Sequence, residues 1–501
     1  MTEIRRGAIL NYTQLVLQIG IPLLLTPLIM GSLGAAEYGV YMLAGTIMVR
    51  LYMSDLGRTT TTKFLSEYRG RNDEAGAARF LGNIVSLYTV IGLVILIVGL
   101  CLYPWLGAIF RRFNEQELAL YRPLYLMSLF NAALMFPARS LLGVADAEQK
   151  FTIPGVITVA TSATNALGTL LLLWLGMRSV ALIGLSIGTG IIALLCHVGY
   201  CFIGLKARIS IGGWSAQMCK GIFIFSFWMF LNQLINMLNA GTGNYIVAIT
   251  QGATHAGVYT NGLLIYGHYF MLAGAISSLF LPRVVHMVAR GADAQEQTEA
   301  MVQLGRIQWM ILGGFLLGML FFGQEFYRLW IGHIPGADAE LSYHICLCLM
   351  VPQTFGLVQA LGWQISQARD ALRQRVLITG FNSLLFISVS YFVCKYWGIG
   401  AQAGWAAVSI LIQLAMLNGI HYRGLGLRVG YFYRQTFRRA LPATAVCSGI
   451  CMGLNLLIPG GHIWGLLIKC MAFLPCYILI IYKLYASTEE KKAMRLCLSA
   501  H

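Results

Sequence analysis

Charge is what this sequence has least of: Asp, Glu, Lys and Arg make up 11% of its 501 residues, where soluble domains carry about a quarter. With 58% of the residues hydrophobic, water cannot solvate the surface of such a chain, which excludes a soluble globular protein. Acids are scarcer than bases, 19 Asp and Glu against 35 Lys and Arg. The 12 cysteines contain no C-x-x-C, the closest pair being Cys346 and Cys348, so free thiols packed as small apolar side chains are expected, with no metal site or disulfide framework. A Walker loop and a phosphate-binding glycine loop are also missing, so neither a cofactor nor direct ATP coupling within the chain is expected.

Long apolar runs are what the chain has instead. A helix needs roughly 20 mainly apolar residues to cross the hydrocarbon core of a bilayer, and such runs fill residues 9–33, 39–61, 80–105, 118–144, 151–175, 179–205 and 221–249. They continue through 256–281, 302–326, 341–363, 376–397, 402–422, 440–459 and 464–485. The expected fold class is an all-α integral membrane protein of about fourteen transmembrane helices. The closely spaced runs leave twelve or thirteen open.

A net charge of +16 would suggest a nucleic-acid partner in a soluble protein, but here the charges segregate by loop. The N-terminus and the even-numbered loops hold 27 of the 35 Lys and Arg, and the odd-numbered loops hold 6. Positive residues accumulate on the cytoplasmic side, so both termini are expected there and no nucleic acid is needed. Arg5 and Arg6 precede an apolar run about twice as long as a signal-peptide core, so the first helix is read as retained.

The sequence repeats itself. Residues 34–41 and 252–259 both read G-A-x-x-x-G-V-Y, at an offset of 218. Arg69-Gly70 then matches Arg290-Gly291, Leu81-Gly82 matches Leu304-Gly305, and Trp105-x-Gly107 matches Trp330-x-Gly332. Four matches in order, each at the same place in the helix order, favour a duplication. Residues 1–210 then form one six-helix lobe, 211–430 a second, pseudo-symmetric one, and 431–501 an appendage of two helices and a tail. Substrates of transporters built this way usually bind where the repeats meet, near the bilayer midplane.

Ionisable side chains are costly in hydrocarbon and usually face a cavity. Arg50 lies within the second run, and the repeat offset places His268 at the matching point of the eighth. Together they suit an anionic substrate such as phosphate or pyrophosphate. The alternatives are that Arg50 pairs with Asp55 or snorkels, and that His268 is a satisfied core histidine. Lys469 is read as snorkelling. Among the acids only Asp55 falls well inside a run, where it is a candidate for ion coupling or pairing. Asn11, Gln14 and Gln18 line one face of the first helix, and Asn232, Asn236 and Asn239 one face of the seventh. Cavity lining and simple interhelical bonding are both open for them. Pro22 and Pro27 in the first helix, and Gly241-Thr242-Gly243 in the seventh, allow bending that gates a cavity or is fixed by packing. The G-x-S-x-G at 184–188 lies in an apolar run rather than a strand–turn–helix and is not a nucleophile elbow. The sequon at Asn11 falls in or beside the first helix on the cytoplasmic side.

The segment Leu33-Gly34-Ala35-Ala36-Glu37-Tyr38-Gly39-Val40-Tyr41 resembles the L-G-x-x-x-Y-G-x-Y pattern of polysaccharide and O-antigen flippases, of the superfamily that also holds multidrug and toxin extruders and lipid II flippases. Asp55-Leu56-Gly57 with the basic loop through Arg71 and Asp73, and later Ala256-Gly257-Val258-Tyr259 and Leu281-Pro282-Arg283, are similar to the corresponding segments. The resemblance implies no enzyme but a flippase of the bacterial inner membrane. It would carry an undecaprenyl-pyrophosphate-linked oligosaccharide between leaflets by alternating access, with Arg50 as a cationic cavity residue and with a polymerase and glycosyltransferases as partners. It identifies no intramembrane carboxylate for ion coupling. The competing readings are a multidrug antiporter of the same fold, which requires a buried acid, and a membrane glycosyltransferase, polymerase or ligase, which requires outer loops longer than the dozen or so residues found here.

Overall fold

The apolar runs fold as helices. The computed structural model describes residues 3–52, 56–210, 216–278, 280, 284, 286–288, 290–369 and 372–485, and no strand occurs among them. The first half contains α1 (Glu3–Leu33), α2 (Ala35–Tyr52), α3 (Leu56–Gly70), α4 (Glu74–Leu102), α5 (Glu115–Ala147), α6 (Thr152–Trp174) and α7 (Ser179–Gly199). After these come α8 (Ala216–Gln251), α9 (Ala253–Ser278), α10 (Ala294–Ile331), α11 (Ala339–Val358), α12 (Ala360–Ala368) and α13 (Leu372–Gly419). The last three are α14 (Val429–Phe437), α15 (Ala440–Leu457) and α16 (Ile463–Ile480).

Ten described helical spans are long and apolar enough to cross a membrane. The 52-residue span that contains α13 holds two crossings, because Gly398 interrupts it with φ 80°. Adding α2, α8 and α9, of 18, 36 and 26 residues, brings the number to fourteen. Several ends differ from the apolar runs. The polar turns at Glu74, Glu115 and Ala294 start helices earlier than hydropathy does, because Asp73, Asn114 and Asp293 cap them. α10 therefore has 38 residues, about 57 Å at 1.5 Å per residue, far more than a hydrocarbon core.

The duplication is written into the junctions. Gly34 and Gly252 both have positive φ and are followed directly by helices starting at Ala35 and Ala253. Positive φ recurs at Gly176, separated from α7 by two residues, and at Gly398 inside α13. Side chains of Asp73 and Asp293 accept from the N–H three residues on, as do those of Asn114 and Asp338. At the end of each half a π-helical turn, Tyr200–Gly204 and Ile420–Gly424, closes a helix. Leu205 N donates to Tyr200 O and Ala207 N to Cys201 O; Leu425 N donates to Ile420 O and Leu427 N to His421 O. Lys206 and Gly426 then take positive φ. These six correspondences keep offsets of 218 to 224, and a helix-ending device shared in such detail supports two pseudo-symmetric halves.

By contacts the chain divides into two compact units, Met1–Gly257 with Ile334–Gly336, and Val258–His333 with Ala337–His501. In the first unit α3, α4 and α5 pack around Leu65, Phe80, Leu81, Ile84, Phe136 and Val144. In the second, Val284, Met301, Leu304, Leu361, Ile365 and Phe432 form one cluster, and Leu317, Phe322, Cys447, Phe473 and Tyr477 join α10 to α15 and α16. Large apolar side chains remain outside: Val94, Ile97 and Val98 on α4, and Leu456, Trp464 and Met471 on α15 and α16. A face this apolar is a lipid-facing one.

Candidate functional site

The repeated octet is a helix crossing. A Cβ added to Gly39 would lie 1.9 Å from the Ala253 carbonyl oxygen, and one added to Gly257 would lie 3.4 Å from both the Ala35 oxygen and Gly39 Cα. The second glycine of each octet thus brings the first turn of α2 against the first turn of α9, backbone to backbone, with Tyr38 buried beside the contact. At Gly39 no side chain fits without a shift of the backbone. The hydroxyl of Tyr245 on α8 donates to Leu43 O, 3.1 Å away, holding α2 from a third helix.

With Ala35 and Ala253 opening matched helices, Arg50 and His268 occupy the same register in α2 and α9. Arg50 belongs to the last turn of α2, and its side chain lies outside the described residues, as does Asp55. His268 is 8% exposed, and among the described residues its Nε2 has no hydrogen-bond partner. An imidazole nitrogen buried without a partner is one of the exceptions that call for an explanation.

The polar stripes divide. On α1, Gln14 Nε2 donates to Ser162 Oγ of α6 at 3.1 Å, while Asn11 and Gln18 are exposed. On α8, Asn236 is exposed and Asn232 and Asn239 are half-buried. Pro22 and Pro27 lie within the continuous α1, and the buried Gly241 and Gly243 within the continuous α8.

Two readings of the charges are corrected. Lys469 does not snorkel: it is 2% exposed, and its Nζ lies 2.6 Å from Glu325 Oε2. An intramembrane carboxylate is therefore present. The apolar run ends at residue 326, which makes Glu325 look terminal, but α10 continues to Ile331 and carries it inward. Its other oxygen accepts from Gly461 N at 3.1 Å, so one carboxylate holds both α16 and the loop before it. A lone lysine in an apolar helix was the available signal, since such a charge requires a partner.

Further half-buried acids are paired as well. Asp146 accepts from Arg58 Nε and Nη2 at 2.5 and 2.9 Å, joining α3 to α5. Glu37 of the octet accepts from Arg178 and from the hydroxyl of Ser179, and the carboxylate beside it holds the Arg178 guanidinium above its usual range. At the other end of α1, the Thr152 hydroxyl donates to Glu3 at 2.6 Å and keeps that carboxyl below its ordinary value. Sequence reasoning also missed His421, buried on the second π-turn: Gln359 Nε2 lies 3.3 Å from its Nδ1, and the Tyr433 hydroxyl donates to Gln359 Oε1.

This arrangement defines the chain as a polytopic membrane protein of duplicated helical lobes. No family model matches the sequence, and no curated protein does. Solved structures do share its fold. The lipid II flippase MurJ, in an inward closed conformation, aligns over 96% of this chain and 98% of its own with a TM-score of 0.73 at 14% identity. An inward-facing multidrug resistance MATE family transporter of the MOP superfamily aligns over 87% of this chain and 99% of its own, with TM-score 0.65 and 16% identity. A MOP superfamily transporter from Pyrococcus furiosus, described as having a binding pocket of reverse polarity, aligns over 86% and 96%, with TM-score 0.59 and 15% identity. The fold is thus that of MurJ and the MATE transporters.

Proposed function

We propose that this protein is a flippase that moves an anionic lipid-linked substrate, an undecaprenyl-pyrophosphate-linked oligosaccharide, across the bacterial inner membrane by alternating access, with both termini cytoplasmic. The observation that carries the reading is the placement of Arg50 and His268 at one register of two repeated helices. A guanidinium from one helix and an imidazole N–H donor from its repeat equivalent suit a pyrophosphate. Asn11, Gln18 and Asn236 offer uncharged hydrogen bonds to a sugar, and bending at Pro22, Pro27, Gly241 and Gly243 gates the path.

Two further observations favour it over the multidrug antiporter. Cation antiport needs a carboxylate able to exchange its partner, and Glu325, Asp146 and Glu37 are each held by a Lys or Arg within 2.6 Å. The MurJ structure matches 9% more of this chain than the MATE structure does. That is about 45 residues, the size of the α15–α16 pair with its loop (residues 440–485).

The test is export of surface polysaccharide in the native host. Arg50→Ala and Arg50→Glu are expected to abolish it while leaving the amount of protein in the membrane unchanged. Intact export in both variants would remove Arg50 from the mechanism, and cation-driven dye efflux by the purified protein would support the antiporter instead. A polymerase and glycosyltransferases encoded beside the gene are the expected partners.

A further inference from the structure

The sequence holds no Asp or Glu between Asp370 and Glu489, while the same stretch contains Arg423, Arg428, Arg434, Arg438, Arg439 and Lys483. Four of these fall on or next to α14, a nine-residue helix in a segment that the apolar pattern assigns to a loop. α14 is two-faced. Val429, Phe432 and Thr436 are buried, whereas Arg428, Tyr431, Arg434, Arg438 and Arg439 are exposed.

Its depth can be read from α10. Arg428 N donates to Thr298 Oγ1 at 3.2 Å, and Phe437 packs edge-on against Trp309 with centroids 4.9 Å apart. α14 therefore runs beside α10 from Thr298 to Trp309, about 16 Å along the axis. Up to Arg306 this part of α10 is rich in Gln, Glu and Arg, and the uninterrupted apolar stretch follows Trp309. That change from polar to apolar residues marks the level at which the helix enters the hydrocarbon. Arg438 and Arg439 directly follow Phe437 and share that level. The end of α16 arrives there too: the Tyr485 hydroxyl donates to Thr436 O at 3.1 Å, and Arg306 Nη2 donates to Tyr485 O at 3.0 Å. This brings the exposed Lys483 alongside.

We propose that Arg434, Arg438 and Arg439, with Lys483 beside them, form a binding site for the phosphate headgroup of an anionic phospholipid in the leaflet on the face that carries the basic loops. Among the described residues no acid pairs with the three arginines. A general excess of positive charge on one face requires neither a folded helix nor a common depth, and here both are present. The exposed apolar side chains of α15 and α16, Leu441, Leu474 and Ile478 among them, provide the surface for the acyl chains of the same lipid. Guanidinium groups suit this ligand because they donate in a fork to phosphate oxygens.

The purified full-length protein in detergent, titrated with dioleoyl phosphatidylglycerol or dioleoyl phosphatidylcholine and read by native mass spectrometry, tests the site. Each basic residue near the surface contributes about five-fold in affinity for an anionic lipid. Wild type is expected to bind phosphatidylglycerol at least ten-fold more tightly than phosphatidylcholine. Combined Arg434→Gln, Arg438→Gln and Arg439→Gln should lose that preference, and the three Arg→Lys changes should largely retain it. If the triple Gln variant does not fold, Arg434→Gln alone should weaken phosphatidylglycerol binding about five-fold. Equal affinity of wild type for the two lipids, or an unchanged preference in the Gln variants, overturns the proposal. So does displacement of the lipid by millimolar inorganic phosphate, which would make soluble phosphate the ligand.

Discussion

Lys469 and Glu325 show what a single charge requires in hydrocarbon. Removing one partner of a buried pair leaves the other uncompensated, at a cost of about 3–5 kcal/mol, whereas replacing both by apolar groups is often neutral. Lys469→Met is accordingly expected to lower the thermal midpoint of the purified protein strongly, and Lys469→Met with Glu325→Leu to restore most of it. A midpoint unchanged in the single variant would show that the pair is not buried in the bilayer. Glu3 makes a pH-dependent contribution outside the hydrocarbon. Hydrogen bonds from Thr152 depress its pKa below the ordinary 4.5, so their stabilisation is complete above that value and is lost as pH falls through the depressed one. The midpoint advantage of wild type over Thr152→Val should therefore be present at pH 7 and shrink on acidification below 4.5. The shared register of Arg50 and His268 was legible in the sequence because a charge in an apolar run stands out and the octet aligns the two helices. Glu325 was not, because the last turn of its helix looks like a loop.

Among the elements, the α2–α9 crossing makes the sharpest demand on sequence. Gly39→Ala places a methyl group against the Ala253 carbonyl, and overpacking of this kind costs about 1–3 kcal/mol. The variant is expected to show a lower unfolding midpoint by differential scanning fluorimetry. Gly45→Ala, on the same helix with nothing within 4 Å of the added carbon, should be unaffected. Most helices could be read from apolar length alone, since an unbroken apolar run of about 20 residues in hydrocarbon pairs its backbone polar groups within itself only as a helix. The ends of α4, α5 and α10 could not, because capped polar turns extend helices past the hydrocarbon edge. α14 escaped because nine residues with three buried positions do not make an apolar run. Its alternation of Val429, Phe432 and Thr436 with arginines was the signal.

For the molecule as a whole, the appendage is fastened by polar contacts, the Lys469–Glu325 pair chief among them with hydrogen bonds of Asn455, Tyr477 and Arg306, and by much apolar surface. In lipid the apolar contact is worth little, because acyl chains replace helix contacts almost evenly. A chain ending at Arg439 is therefore expected to fail mainly through its stranded Glu325. Glu325→Leu should restore the folded, monodisperse fraction of that truncated chain, as measured by size-exclusion chromatography. A truncated chain as abundant as the full one without this change would contradict the expectation.

The same carboxylate constrains how a fourteen-helix chain arises from a twelve-helix one. In a bundle without α15 and α16 an acid at position 325 is a burden, and in a bundle with them and no acid there, Lys469 has no partner. Neither residue is favourable before the other, so the two charges must be gained or lost together, or through an intermediate in which positions 325 and 469 are both uncharged. Descendants that have acquired the lock cannot shed the pair without first losing the acid.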